Sequence, residues 1–221
     1  SSDLIREKVT DVILLHVDAR YRVLTVPVFL ARTLKLTRDR GRPSLIPGRY
    51  MGYDYARLLD GPADIGPRVG HYPLAETRRV ASAQHAKPYI VIVPGGAKNV
   101  LRESALRRWP LVSYGAVAEA LIAEGFDIVL VGDRHDDWVR PGFANIQVDD
   151  RIGALTLPET LDLMRGSKLV ISHDTGPMHL ARLVAAPLIA LFGPTMPSQF
   201  IVEDDRTVAL WGGAHLAWQI G

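Results

Sequence analysis

Short, uninterrupted apolar runs recur through the second part of the chain, and stretches with helical spacing separate them. The runs at 89–93, 127–131, 169–172 and 188–192 carry few polar positions, which predicts strands buried on both faces rather than strands with one wet face. Between them, 113–124, 157–165 and 178–184 bring apolar residues back at helical intervals and predict helices. Strand and helix in alternation imply a parallel sheet with helices on both faces, a Rossmann-like α/β domain. The first part lacks this rhythm. There, 11–17 predicts a strand and 23–36 a helix, while 38–65 is crowded with Gly, Pro and Arg and reads mainly as loop. A boundary near residues 80 to 88 therefore divides the chain into 1–87 and 88–221.

Composition allows this division. The chain has 221 residues, 48% hydrophobic and 23% charged, enough for one large core or two modest ones. It contains no apolar run of the ~18 residues that suggest a membrane span and opens with no signal-peptide pattern, so a cytoplasmic location is expected. The absence of Cys excludes disulfides and thiolate metal sites. The chain starts at Ser1 rather than Met and ends abruptly at Trp218-Gln219-Ile220-Gly221, which reads as a processed or truncated protein. Charge adds an asymmetry: 15 Lys+Arg against 9 Asp+Glu up to Lys87, then 11 against 15 from Pro88 onward. A basic first part, with Arg32, Lys35, Arg38, Arg40, Arg42 and Arg49, suits an anionic lipid or saccharide, or is simply a solvated face. Nucleic acid is not expected, because no recognition motif accompanies these cations.

Candidate chemistry lies where the predicted strands end. After 169–172 the chain reads Asp174-Thr175-Gly176-Pro177-Met178-His179, placing an acid, a hydroxyl, a glycine and an imidazole where a strand becomes a helix. Pro177 suits a first helical turn, and exposed N–H groups with the positive helix end favour an anion there. The run 188–192 ends similarly in Gly193-Pro194-Thr195-Met196-Pro197, and two such ends side by side make a crevice at the carboxyl edge of the sheet. The strand 89–93 runs into Pro94-Gly95-Gly96-Ala97-Lys98-Asn99. Paired glycines allow close backbone approach and the lysine and amide suit a diphosphate, although a plain turn explains the loop as well. Arg107-Arg108-Trp109-Pro110 precedes a helix: either arginine can reach a phosphate, or both form a surface pair while Trp109 caps the core. After 127–131 come Gly132-Asp133-Arg134-His135-Asp136-Asp137, in which Asp133 and Asp136 are candidates to accept ribose hydroxyls. A metal is not expected from this cluster, since loop acids are usually solvated. His71, His85 and His215 read as surface or structural residues.

Taken in order, Pro94-Gly95-Gly96-Ala97, Arg107-Arg108-Trp109-Pro110, Val131-Gly132-Asp133, Asp174 to Ala181 and Leu191 to Pro197 resemble glycosyltransferase family 9, the ADP-heptose:lipopolysaccharide heptosyltransferases, over about residues 88 to 200. The resemblance implies a GT-B-like fold of two Rossmann-like domains facing a cleft. Residues 1–87 would form an incomplete N-terminal acceptor-side domain and 88–221 the C-terminal nucleotide-sugar-binding domain. It further implies that Asp174 hydrogen-bonds the transferred sugar, that Thr175 and Gly176 hold the diphosphate, and that His179 lies nearby. Arg107 stands where the family usually has a phosphate-contacting Lys, Asp136 where a Glu contacts ribose, and Leu155 where an apolar residue packs on adenine. Gly95, Gly96, Ala97, Lys98, Asn99, Arg108, Gly132 and Asp133 complete the implied donor site.

By the same resemblance, the reaction is inverting transfer of a heptose or similar sugar from an ADP-sugar to an anionic saccharide or glycolipid acceptor of the lipopolysaccharide-core type. No metal and no cofactor beyond the donor is implied, and the protein would work in the cytoplasm, peripherally on the inner membrane. The family's catalytic Gly-Asp pair near the N-terminus has no counterpart; Asp18 is the candidate base, with a loop-capping role equally open. Two alternatives stand beside this reading: another GT-B enzyme using a UDP-sugar, and a non-catalytic nucleotide-sugar-binding protein.

Overall fold

The computed structural model describes residues 50–52, 85–96 and 104–212. The chain divides into two compact units, Ser1–Pro67 with Ser198–Phe200, and Arg68–Pro197 with Ile201–Gly221. The predicted strand 11–17, the predicted helix 23–36, Asp18, most of 38–65, His71 and His215 lie outside the described residues.

The second unit contains a parallel sheet. In chain order its elements are β1 (Tyr89–Val93), α1 (Leu111–Ala123), β2 (Asp127–Leu130), β3 (Asp149–Asp150), α2 (Leu157–Gly166), β4 (Leu169–His173), α3 (Gly176–Leu183), β5 (Leu188–Phe192) and β6 (Thr207–Trp211). The strands lie in the order β3-β2-β1-β4-β5-β6, and every adjacent pair is parallel. The chain first moves outward from β1 to β3 and then crosses back to β4, so neighbouring β1 and β4 send their following loops in opposite directions. Such a reversal opens a crevice at the carboxyl edge of a doubly wound sheet. The register of Val93 opposite Ser172 brings the loop after β1 beside the loop after β4.

Burial explains why these runs became strands. All five residues of β1 are buried, as are the last three of β2 and the last four of β4. Ile90, Ile92, Ile128, Leu130, Ile171 and Leu191 form one cluster with Tyr114 and Ala118 of α1 and with Val139 and Phe143. Trp109 packs on this cluster and meets Tyr114 edge-on, with ring centroids 5.0 Å apart, which matches the core-capping reading of that residue. α1 begins at Leu111 rather than Ser113, because Pro110 (φ −57°) already accepts the N–H groups of Ser113 and Tyr114. Before α2, Glu159 accepts both the N–H and the hydroxyl of Thr156, each at 2.7 Å, in the manner of a capping box.

His85 lies at the amino edge of the sheet, its ring tilted 33° to that of Tyr89 with centroids 4.6 Å apart, and within 4 Å of the Asp127 and Asp149 carboxylates. That is a structural position, as its sequence context suggests.

Two strands escape the apolar pattern. β3 is only Asp149-Asp150, an edge pairing with β2 that needs no apolar residue. β6 leaves Val208, Leu210 and Trp211 about half exposed, and its place at the sheet edge comes from pairing along the whole of β5.

α3 ends on Ala185, which has φ +55°. The Ala185 N–H donates to the Arg182 carbonyl and the Ala186 N–H to the Ala181 carbonyl, both at 3.0 Å, a Schellman arrangement that normally uses glycine. The left-handed conformation costs an alanine about 1–2 kcal/mol, of which glycine's greater unfolded-state freedom would cancel roughly half. Ala185→Gly should therefore stabilise the protein by about 0.5–1 kcal/mol, read as a raised midpoint in urea unfolding.

Candidate functional site

The site is built at the β1/β4 reversal. Past β1, Gly95 lies so close to Asp136 that a Cβ there would come within 2.3 Å of the carboxyl carbon, and Gly96 has φ +91°. A Cβ on Gly96 would also press on the Thr175 methyl at 3.3 Å, so the β1 and β4 loops touch here. Both glycines thus fill positions that only glycine suits.

Asp136 is the reason for the close approach. It is 7% exposed; its Oδ1 accepts the Gly96 N–H at 2.7 Å and its Oδ2 accepts the Asp133 N–H at 2.9 Å. One carboxylate therefore clamps the loop after β1 to the loop after β2. Nothing in the spacing of acids along the chain distinguishes such a clamp from a solvent-facing ribose acceptor. Asp133 is exposed and accepts the His135 N–H. Gly132 accepts the Gly153 N–H at 2.9 Å, and half-buried Leu155 follows on the same turn.

Asp174 is nearly sealed, with its side chain 2% exposed. Its Oδ2 accepts Nε of Arg107 at 3.0 Å, Nη2 of Arg107 at 2.9 Å and the Thr195 hydroxyl at 2.6 Å. A carboxylate this buried is tolerable only when paired and hydrogen-bonded, and three donors from two different loops supply that. Thr195 belongs to the site on this evidence; its signal in the sequence is the second strand that ends, like the first, in a turn rich in Gly, Pro and hydroxyl. Arg108 donates Nε to the Gly96 carbonyl at 2.9 Å, and its guanidinium carbon lies 4.6 Å from the Trp138 ring centroid. The two arginines thus brace the crevice from different sides.

At the start of α3, Thr175 is the N-cap residue and Pro177 falls in the first turn. The Thr175 hydroxyl donates to the His173 carbonyl at 3.2 Å. A Cβ on Gly176 would meet nothing within 4 Å, so this helix start borders open space; Pro177 has no N–H and the Met178 N–H donates to the Thr175 carbonyl at 3.2 Å, which leaves the Gly176 N–H to face that space. His179 is exposed on the next turn. Crowding by surrounding atoms, with the Arg182 and Arg107 cations, lowers its pKa, and Asp174 opposes that shift in part.

Behind Asp174 sits His173, which is fully buried. Its Nδ1 faces the Tyr114 hydroxyl at 3.1 Å, while Nε2 has no hydrogen-bond partner among the described residues. Burial, then Arg107, pushes its pKa down to about 4, so the ring is neutral at pH 7. Burial likewise pushes the Tyr114 hydroxyl above its ordinary range.

Of the residues singled out in the sequence, Gly95, Gly96, Arg107, Arg108, Asp136, Asp174, Thr175 and Gly176 meet at this carboxyl edge. Gly132, Asp133 and Leu155 lie on the loops after β2 and β3, and His179 on α3. Ala97, Lys98 and Asn99 are outside the described residues. Among the described residues, no three His, Asp or Glu side chains are grouped to hold a metal ion.

Comparison with known proteins gives a consistent result. The sequence model of glycosyltransferase family 9 (heptosyltransferase) matches residues 54–216. The lipooligosaccharide heptosyltransferase 2 of Haemophilus influenzae is 32% identical over 147 residues, 62% of this chain and 41% of that protein. A lipopolysaccharide heptosyltransferase 3 of Escherichia coli is 30% identical over 65% of this chain and 44% of its own length. The chain thus spans about two-fifths of the length of the curated relatives it matches. Among solved structures, the E. coli ADP-heptose lps heptosyltransferase II superposes with a TM-score of 0.51 at 26% identity, over 56% of this chain and 38% of that one. A family 9 glycosyltransferase from Veillonella parvula gives 0.68 at 22% identity, over 95% and 66%, a likeness of fold.

Two outcomes follow from the geometry. Asp136→Ala removes the acceptor of two backbone N–H groups, and each lost charged hydrogen bond costs about 1.5–3 kcal/mol; a lowered urea midpoint should show this, with Asp136→Asn falling between. For His173, the unfolded chain binds a proton below about pH 6.5 and the folded one only below about pH 4. Stability should therefore fall as pH drops through that window, by about 2 kcal/mol at pH 5. His173→Gln, which retains an acceptor for Tyr114, should lose that dependence when unfolding is compared at pH 7 and pH 5.

Proposed function

Since the chain belongs to glycosyltransferase family 9, we propose that it forms the donor-binding part of an inverting glycosyltransferase that moves a heptose from an ADP-sugar to a lipopolysaccharide-core-type acceptor. One observation carries this reading: Arg107, Arg108, the Gly95-Gly96 turn and the open start of α3 converge on one crevice, around the buried Asp174 carboxylate. Named heptosyltransferases among the relatives support the sugar, and likeness to the E. coli ADP-heptose lps heptosyltransferase II supports the nucleotide.

The chemistry asks for such a crevice. Breaking the bond between sugar and diphosphate builds positive charge on the sugar and negative charge on the departing diphosphate. Fixed cations and helix-start N–H groups stabilise that charge more as it grows. Arg107, Arg108 and the Gly176 N–H would receive the diphosphate, and the Thr175 hydroxyl would join them by turning from the His173 carbonyl to which it now donates. Asp174, anchored through Oδ2, presents Oδ1 to a sugar hydroxyl. Leu155 and Asp133 stand at the β2–β3 side for adenine and ribose, Asp136 acting there by fixing the loops. On this reading 88–221 holds the donor and 1–87 faces the acceptor, with Asp18 as the base that takes the acceptor's proton. Work at the cytoplasmic face of the inner membrane fits an anionic glycolipid acceptor. Among the described residues no helix is long and apolar enough to cross a membrane.

Calorimetric titration tests the donor assignment. ADP should bind saturably, and Thr175→Ala or Asp174→Ala should weaken it at least ~10-fold, or about 1.4 kcal/mol. Tighter binding of UDP would redirect the reading to a UDP-sugar enzyme. Absence of binding by any nucleoside diphosphate would end it.

A further inference from the structure

The opposite edge of the sheet holds a second feature. Where β4, β5 and β6 begin, a cavity of about 400 Å³ is lined by Arg165, Lys168 and Arg206 together with Val184, Ala185 and Pro187. Three cations and no acid line it, in a region that from Pro88 onward carries more acids than bases. Lys168 and Arg206 form no ion pair among the described residues, and both are exposed at the rim.

A routine explanation would have these cations neutralise the carbonyl ends of α2 and α3. Four of those carbonyls already have donors. Leu163 accepts the Tyr89 hydroxyl at 2.7 Å, and Met164 accepts the Ser167 N–H and hydroxyl. On α3, Ala181 and Arg182 accept the Ala186 and Ala185 N–H groups. Arg206, moreover, belongs to neither helix but to the connection before β6.

We propose that this cavity is a second anion site, which takes a phosphomonoester of headgroup size. Lys168 and Arg206 supply charge from two sides, the Arg206 fork pairing two phosphate oxygens while Lys168 acts as a point charge. The apolar wall of Val184, Ala185 and Pro187 receives the carbon part of the ligand. The volume lies at the small end of ligand pockets, which suits a glycerol phosphate unit rather than a nucleotide sugar. The strand length of β4 separates the site from the donor crevice by about 17 Å, so it is not an extension of that crevice, and its existence does not depend on the donor assignment.

Titration of the chain with sn-glycerol 3-phosphate at low salt tests the proposal. Binding is expected in the unaltered protein, to be weakened ~10-fold or more in Lys168→Gln/Arg206→Gln and retained in Arg107→Gln. Because both altered side chains are exposed, unchanged thermal melting will show that the double variant is folded. Sedimentation with phosphatidylcholine vesicles, with and without phosphatidic acid, then identifies the source of the phosphate. Vesicle binding that requires phosphatidic acid and is lost in the double variant marks a lipid headgroup, and glycerol phosphate binding without vesicle binding marks a soluble ester; either supports the site. No binding, or binding unaffected in the folded double variant, overturns it.

Discussion

The carboxylate of Asp174 governs the carboxyl edge of this sheet. Buried as it is, it would cost several kcal/mol if left unpaired, and the two loops that pair it are thereby fixed. Arg107 comes from the segment between β1 and α1, Thr195 from the turn after β5, and Asp174 from the end of β4. One charge therefore holds three connections in register above the β1/β4 reversal. Replacing it with an apolar residue would leave Arg107 without its partner and Thr195 without its acceptor, so the crevice and the local fold share a single support.

Asp136 does for the β2 side what Asp174 does for the β4 side. Its two oxygens take one N–H from each of two loops, and this requires a glycine at 95 to make room. The two acids look alike in sequence, each standing shortly after a strand. Their partners differ: Asp136 is satisfied entirely by backbone, whereas among the described residues Asp174 is bonded on one oxygen only, by side chains. On the proposed function, the first residue shapes the site and the second keeps an oxygen for the ligand.

How much of this was legible in the sequence follows from what each element needs. β1 and β5 were read to the residue, and β2, β4 and the three helices to within a few residues, because continuous apolar runs and helical spacing mark elements buried in a parallel sheet. β3 carried no such mark, being a two-residue edge pairing of acids whose existence depends on β2 alongside it. The glycines, Asp174 and the arginines were recognisable as site residues since strand ends are where such chemistry gathers. Their pairing was not: that Arg107 reaches Asp174 across 67 positions is set by the strand order, which no local pattern encodes. His173 was passed over for the same reason, its neutrality arising from burial against Tyr114 and from the nearby arginines rather than from its neighbours in sequence.

The choice of arginine at 107 has a geometric consequence. Nε and Nη2 both converge on Oδ2 of Asp174, an arrangement that a flexible ammonium holds only as a point charge. A guanidinium has five N–H donors, and the edge turned toward Asp174 uses only some of them. The Arg107 side chain is 30% exposed while Asp174 is 2% exposed, so the guanidinium is held by the buried acid yet still reached by solvent. On the proposed function, an arriving diphosphate would meet a cation whose position is fixed in advance by a buried acid. Less side-chain freedom would then be lost on binding, and the stabilisation would be kept for the charge that develops as the bond breaks. A lysine here would carry the same charge but would have to be ordered by the ligand itself.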